Sequence, residues 1–136
     1  MCYEIVIYTA SLPAYADKIL NGLDPMNTIF SHSLCTHDCP FFKGVYVKDI
    51  EALGRPLDKV VFMDNYPGAY MMQPANALPI TSFVGSVEDS EVLLKKMLLR
   101  LLRFKDDVRP MLKRYQRHWK TLHFSLDPAN DWRDGN

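Results

Sequence analysis

The chain has 136 residues, 48% of them hydrophobic, which is enough for one domain with a sizeable core. Its 16 Lys and Arg balance its 16 Asp and Glu, so it lacks the clustered positive field that a general nucleic-acid binder uses to neutralise phosphates. No apolar run approaches the roughly 20 residues of a membrane span, no signal-peptide pattern follows Met1, and three irregularly spaced cysteines suit a reducing compartment.

In chain order, the continuous run Ile5–Tyr8 predicts a strand buried on both faces. Pro13, Tyr15, Ala16, Ile19, Leu20 and Leu23 then continue at helical spacing, with Ser11 expected to cap the helix and Asp24-Pro25 to end it. Residues 28–44 read as irregular, closing on a Lys43-Gly44 turn. Val45-Tyr46-Val47 is a short strand-like run, and Ile50 to Leu53 predict one or two helical turns before the Gly54-Arg55-Pro56 break. Lys59–Met63 predicts a second buried strand, and Leu78–Val84 a third. The longest helix is expected over Ser86–Phe104. Ser86 or Ser90 caps it, acids (Glu88, Asp89, Glu91) stand early and bases (Lys95, Lys96, Arg100, Arg103) late. Its apolar face comprises Val92, Leu93, Met97, Leu98, Leu101 and Leu102. A last helix runs from Val108 or Pro110 to about Leu122. The domain is expected to occupy 1–122, followed by a polar, turn-rich, disordered tail at 123–136.

Strands alternating with helices predict an α/β fold, a mostly parallel sheet covered on both faces. Chemistry in such sheets gathers past the carboxyl ends of the strands. Thr9 with Ser11, Lys48 with Asp49, and Asp64 with Asn65 all fall at such ends. Asp and Asn after a strand are ordinary turn residues when taken singly. Together, a hydroxyl, an ammonium and a carboxylate–amide pair suit a phosphate and a hard cation such as magnesium.

Tyr8-Thr9-Ala10-Ser11-Leu12, Tyr46-Val47-Lys48-Asp49 and Met63-Asp64-Asn65-Tyr66-Pro67 closely resemble the CTD phosphatase-like (NLI-interacting-factor-like) family of the haloacid-dehalogenase superfamily. The likeness continues through Pro74–Ile80 and Leu102-Arg103-Phe104 to Asp107-Val108-Arg109, covering about residues 3 to 115. The last stretch looks most like the Dullard-type nuclear-envelope branch, beside the small CTD phosphatases and a mitochondrial presequence-translocase subunit. The resemblance implies a Rossmannoid parallel sheet and a magnesium-dependent protein serine/threonine phosphatase acting on a phosphoprotein. It implies that Thr9 and Ala10 contact phosphate, that Lys48 neutralises it, and that Asp64 and Asn65 hold Mg2+. The implied location is the nucleus or nuclear envelope, with the mitochondrial inner membrane as the alternative.

The family's first motif, Asp-x-Asp on a central strand, supplies the nucleophile and the acid, and no Asp-x-Asp occurs in this sequence. The expectation is an N-terminally truncated domain lacking that strand. It would leave the edges of Ile5–Tyr8 and Val60–Met63 open, be poorly stable, and be inactive alone. The alternative is a non-catalytic phosphopeptide- or presequence-binding module of the same fold. The family's phosphate-contacting arginine has no counterpart in this region, since no arginine precedes Arg55.

Two further segments carry chemistry-bearing residue types. His32, Cys35, His37 and Cys39 hold the residue types of a zinc site, but their spacing fits no common zinc motif, and an ordinary loop is favoured. The last helix carries Arg109, Lys113, Arg114, Arg117 and Lys120 among Tyr115, Trp119 and Phe124. That pattern allows peripheral contact with an anionic membrane, although docking through Leu112, Tyr115 and Trp119 is favoured.

Overall fold

The computed structural model describes residues 3–82 and 90–124. Strand β1 (Val6–Tyr8) passes through helix α1 (Pro13–Leu23) to β2 (His32–Leu34), which lies parallel to β1 in the register Val6↔His32, Ile7↔Ser33, Tyr8↔Leu34. Parallel neighbours require such a crossover. Pro13 starts α1 because its fixed φ suits a first turn and its missing N–H is not needed there. The cap position is therefore Leu12, without a side-chain hydrogen bond, and not Ser11 as expected. Ser11 stands one residue too early and instead accepts the Thr36 N–H on its carbonyl at 3.1 Å. After α1 the buried Asp24 carboxylate accepts the backbone N–H groups of Thr28 (2.9 Å), Ile29 (2.8 Å) and Phe30 (3.0 Å), turning the chain toward β2.

Strands β3 (Phe41–Phe42) and β4 (Val45–Tyr46) form an antiparallel hairpin closed by Lys43-Gly44, the expected turn. Both turn residues have positive φ, 50° and 83°, as a two-residue hairpin loop matching strand twist demands. Residues 50–53 make one 3-10 turn. The Asp49 carboxylate caps it by accepting the Glu51 N–H at 3.0 Å, and Gly54 ends it at φ 65°. Strand β5 (Phe62–Asp64) pairs in parallel with β6 (Ala77–Pro79), so the third strand begins and ends earlier than the expected 78–84. Helices α2 (Ser90–Leu102) and α3 (Arg109–Phe124) complete the described chain, α3 running two residues past its expected end. The expected caps and early acids at Ser86, Glu88 and Asp89, the positions Phe83 and Val84, and the tail from Leu126 lie outside the described residues.

The core is built on β5 and β6. Leu78, Leu102, Val108 and Leu112 form one cluster, and Ile50, Phe62 and Ala69 a second. The buried Asn76 amide joins them by donating to the carbonyls of Leu57 and Val60, at 2.5 and 2.8 Å. Such buried backbone acceptors are costly to leave unmade.

Three expectations differ from the structure. Among the described residues there is no single parallel sheet but two separate parallel pairs and the hairpin. Neither β1 nor β5 has a second neighbour there. β1 is half-buried and not enclosed on both faces, with Ile5 exposed beside it. The wide apolar face expected on α2 also divides. Leu102 is buried while Val92, Leu93, Met97 and Leu101 stay exposed, and Lys95 is buried at 4% exposure. Its ammonium lies 4.4 Å from the Trp119 ring centroid, near Tyr115, and pairs with Glu91. Cation–π attraction and an ion pair compensate a charge that helical periodicity assigns to solvent. The aromatic side of α3 is thus turned onto Lys95, and Leu112 anchors the helix in the core.

Candidate functional site

The carboxyl ends of β1 and β5 and the segment after β4 carry the residues singled out by sequence. Lys48 follows buried Val47, whose N–H bonds the Pro40 carbonyl at 2.9 Å. The Lys48 N–H bonds the Ala69 carbonyl, also at 2.9 Å. This backbone is tied on both sides, so the lysine is aimed before its side chain makes any contact. Its Nζ pairs with Asp64 Oδ2, with both side chains nearly buried (12% and 8% exposed), and stands 5.9 Å from the Phe62 ring centroid. The other carboxylate oxygen, Oδ1, accepts the Tyr66 N–H at 2.9 Å. Tyr70 packs on the Phe62 ring edge-on. Burial, with the nearby Asp64 charge, pushes its phenol up to about 12, so Tyr70 stays neutral beside the ion pair.

Thr9 ends β1, where its N–H donates to the Leu34 carbonyl at 2.9 Å. Its hydroxyl oxygen accepts the Ser11 N–H at 3.1 Å, which fixes the oxygen and leaves the hydroxyl proton to donate elsewhere. Ala10 is exposed, and its carbonyl accepts the Thr36 hydroxyl at 2.7 Å. Asn65 turns outward and donates to Ser82 Oγ at 2.8 Å, so it does not join Asp64. Asp49, beside Lys48, is engaged by its own neighbours. It accepts Gln73 Nε2 at 2.6 Å, and Gln73 Oε1 in turn accepts the Ile50 N–H at 3.2 Å.

One residue at this rim was not identified as part of it from sequence. The Cys39 thiol donates toward the carbonyls of Cys35 (3.5 Å) and Thr9 (3.7 Å), and it lies close enough to Lys48 to feel its charge. Burial pushes the thiol above its ordinary value and outweighs the pull of Lys48, so Cys39 is a neutral spacer between Thr9 and Lys48. No periodicity marks it, because it stands in irregular chain just before Pro40. The zinc reading finds no support. Cys39 bonds backbone carbonyls, His32 faces Glu4 at 3.6 Å, and among the described residues no three His, Cys, Asp or Glu side chains are grouped to hold a metal. For the magnesium expected at Asp64 and Asn65, Asp64 alone offers a carboxylate at this point of the rim. The one carboxylate has an oxygen committed to Lys48 and the other to Tyr66, so the described side chains do not by themselves fit the ion.

A cavity of about 300 Å³ lies beside β1 and β2, lined by Val6, His32, Ser33, Leu34, Leu53 and Arg55. It contains none of Thr9, Lys48 or Asp64. The rim itself is a surface of preset polar groups.

Residues 1–109 match the family model described as NLI interacting factor-like phosphatase. The human CTD small phosphatase-like protein is 40% identical over 112 residues, 82% of this chain and 40% of that protein. The zebrafish (Danio rerio) CTD nuclear envelope phosphatase 1B is 37% identical over 112 residues, covering 82% and 46% respectively. A mitochondrial import inner membrane translocase subunit from Candida glabrata is 36% identical over 121 residues, covering 83% and 24%. The chain spans less than half the length of each of these relatives. It belongs to the NLI interacting factor-like phosphatase family.

Proposed function

We propose that the chain is the phosphate-recognising part of a haloacid-dehalogenase-like phosphatase domain that takes phosphoserine or phosphothreonine in a protein. The observation that carries this reading is the nearly buried Lys48–Asp64 pair at the strand ends, with Thr9 on the same rim, its carbonyl taking the Cys39 thiol. Phosphoryl transfer is mostly positioning and electrostatic stabilisation. Lys48 is held ready by Asp64, and an arriving phosphate draws its ammonium away from that carboxylate. Thr9 donates its remaining proton to a phosphate oxygen. If magnesium binds here, Asp64 is the carboxylate that would hold it, and the ion would neutralise phosphate charge beside Lys48.

Hydrolysis also needs a nucleophile and an acid, and these 136 residues contain no Asp-x-Asp. The residues described bind and orient, and proton transfer by a placed acid is typically worth about 10²–10⁴-fold on its own. Aryl-phosphate hydrolysis by this chain is therefore expected at background, while a phosphoserine peptide binds and its unphosphorylated twin does not. Lys48→Ala should abolish that difference. Equal binding of both peptides to the unaltered chain would sink the reading.

A second reading, a non-catalytic module binding phosphopeptides or targeting presequences, is favoured by one observation. Lys48 and Asp64 neutralise each other, leaving a rim with little net charge. Tight binding of an unphosphorylated presequence peptide, indifferent to Lys48→Ala, would select it. We propose the nucleus or nuclear envelope as the location, with the mitochondrial inner membrane as the alternative; relatives named for each support these two options. Fractionation of cells expressing a tagged full-length protein separates the two.

A further inference from the structure

The β3–β4 hairpin is the feature that the proposed site does not explain. It leads directly into Lys48, yet it carries Phe41, Phe42 and Tyr46 exposed at 65%, 45% and 44%. Phe41 and Tyr46 stand opposite each other across the two strands, their rings edge to face with centroids 5.1 Å apart. Tyr46 ends β4 and is exposed, and Lys48 follows two residues later, with buried Val47 between them. The aromatic pair therefore stands just ahead of the site lysine in the chain. At the far end, the turn residue Lys43 lies 5.4 Å from the Phe42 ring centroid. Among the described residues it has no carboxylate partner.

We infer that this hairpin reads the sequence flanking the phosphorylated residue. Phe41 and Tyr46 receive an apolar side chain, and Lys43 receives an acidic or second phosphorylated one. The inference rests on the phosphate reading of Lys48. The occupant follows from charge and spacing. Two cations, Lys43 and Lys48, mark the ends of the element, with an apolar platform between them. At about 3.3 Å per extended residue, the five steps from Lys43 to Lys48 span at most about 17 Å, and less across the turn. An extended peptide covers that distance in about four residues. The preferred ligand is thus a phosphoresidue, an apolar residue about two positions away and an anion about four positions away. Pre-ordered aromatic rings give contact area at little conformational cost, and the fixed two-residue turn holds Lys43 at one distance from the site.

The test is fluorescence anisotropy with the full chain and labelled phosphoserine peptides. One peptide carries leucine at the second position and glutamate at the fourth, placed on either side of the phosphoserine. Its control carries alanine and glutamine there. The patterned peptide should bind about tenfold tighter than the control, a difference of about 1.4 kcal/mol. Phe41→Ser with Tyr46→Ser should remove most of that preference and leave binding of the control peptide unchanged. These side chains are exposed, and a circular dichroism spectrum confirms that the variant keeps its fold. Lys43→Glu should transfer the preference to a peptide with lysine at the fourth position, an outcome that misfolding cannot produce. Phosphate-dependent binding without discrimination between the peptides would overturn the hairpin inference and leave the Lys48 reading standing. Failure of every phosphopeptide to bind would overturn both. Pelleting with anionic vesicles that depends on Phe41 and Tyr46, with no peptide preference, would overturn the inference in favour of a membrane surface.

Discussion

The two strand pairs are both parallel but differ in depth. β5 and β6 are mostly buried, covered by α3 on the Leu78–Leu112 cluster and braced by Asn76. β1 and β2 are half-buried or exposed, and α1 leaves Leu12, Tyr15, Ile19 and Leu23 to solvent. The candidate site draws Lys48 and Asp64 from the covered half and Thr9 from the thin one. The ion-paired half of the rim is therefore rigidly preset, while the hydroxyl half depends on a few backbone hydrogen bonds.

The largest effect expected from that contrast is on stability. Leu112→Ala removes a fully buried side chain and should cost about 2–5 kcal/mol. Ile7→Ala in half-buried β1 should cost less than half as much, by urea denaturation of the two variants side by side. Equal losses would break the comparison.

Next in size is the ion pair. Lys48→Met leaves the Asp64 carboxylate nearly buried and uncompensated, a change of about 3 kcal/mol for comparable pairs. Lys48→Met combined with Asp64→Leu should recover most of that loss while leaving phosphate binding abolished. A double variant no more stable than the single one would show that the pair is not coupled.

A smaller effect is expected from Asp24, in the thin half. Burial alone would raise its carboxyl, but the N–H donors of Phe30, Thr28 and Ile29 outweigh burial and hold it below the usual carboxylate value. A group depressed in the folded state contributes stability above its unfolded value, about pH 4, and loses it as pH falls through the lower folded value. Asp24→Asn should flatten that acid limb of the stability profile and lower the plateau above it. An unchanged acid limb would remove Asp24 from the account. The smallest effect is magnesium. With Asp64 engaged by Lys48 and Tyr66, millimolar magnesium alone should leave the melting temperature of this chain unmoved. A clear upward shift would mean that the ion displaces Lys48.

The parts of the fold legible in the sequence were those dictated by local patterns. The β-branched run at Ile5–Tyr8, the apolar run ending at Met63, Pro13 at a helix start and Gly44 in a turn each carry their own signal. β2 carried none: His32-Ser33-Leu34 is a strand because β1 lies beside it. The burial of Lys95 carried no local signal, because it depends on Glu91, Tyr115 and Trp119 meeting from other turns and another helix. At the site, Thr9, Lys48 and Asp64 stood out because each follows a strand and matches a motif. Cys39 and the Asp49–Gln73 bond did not, since only folding brings those backbone and side-chain groups together.

The Lys43-Gly44 turn has a further consequence. Both residues sit at positive φ, and a loop of this kind admits no third residue without changing its type. One inserted residue would shift the strand register and turn Tyr46 to the face now held by Val45. The hairpin is thus a ruler of fixed length, and any relative that recognises a different peptide is expected to have exchanged the side chains on it and kept its spacing.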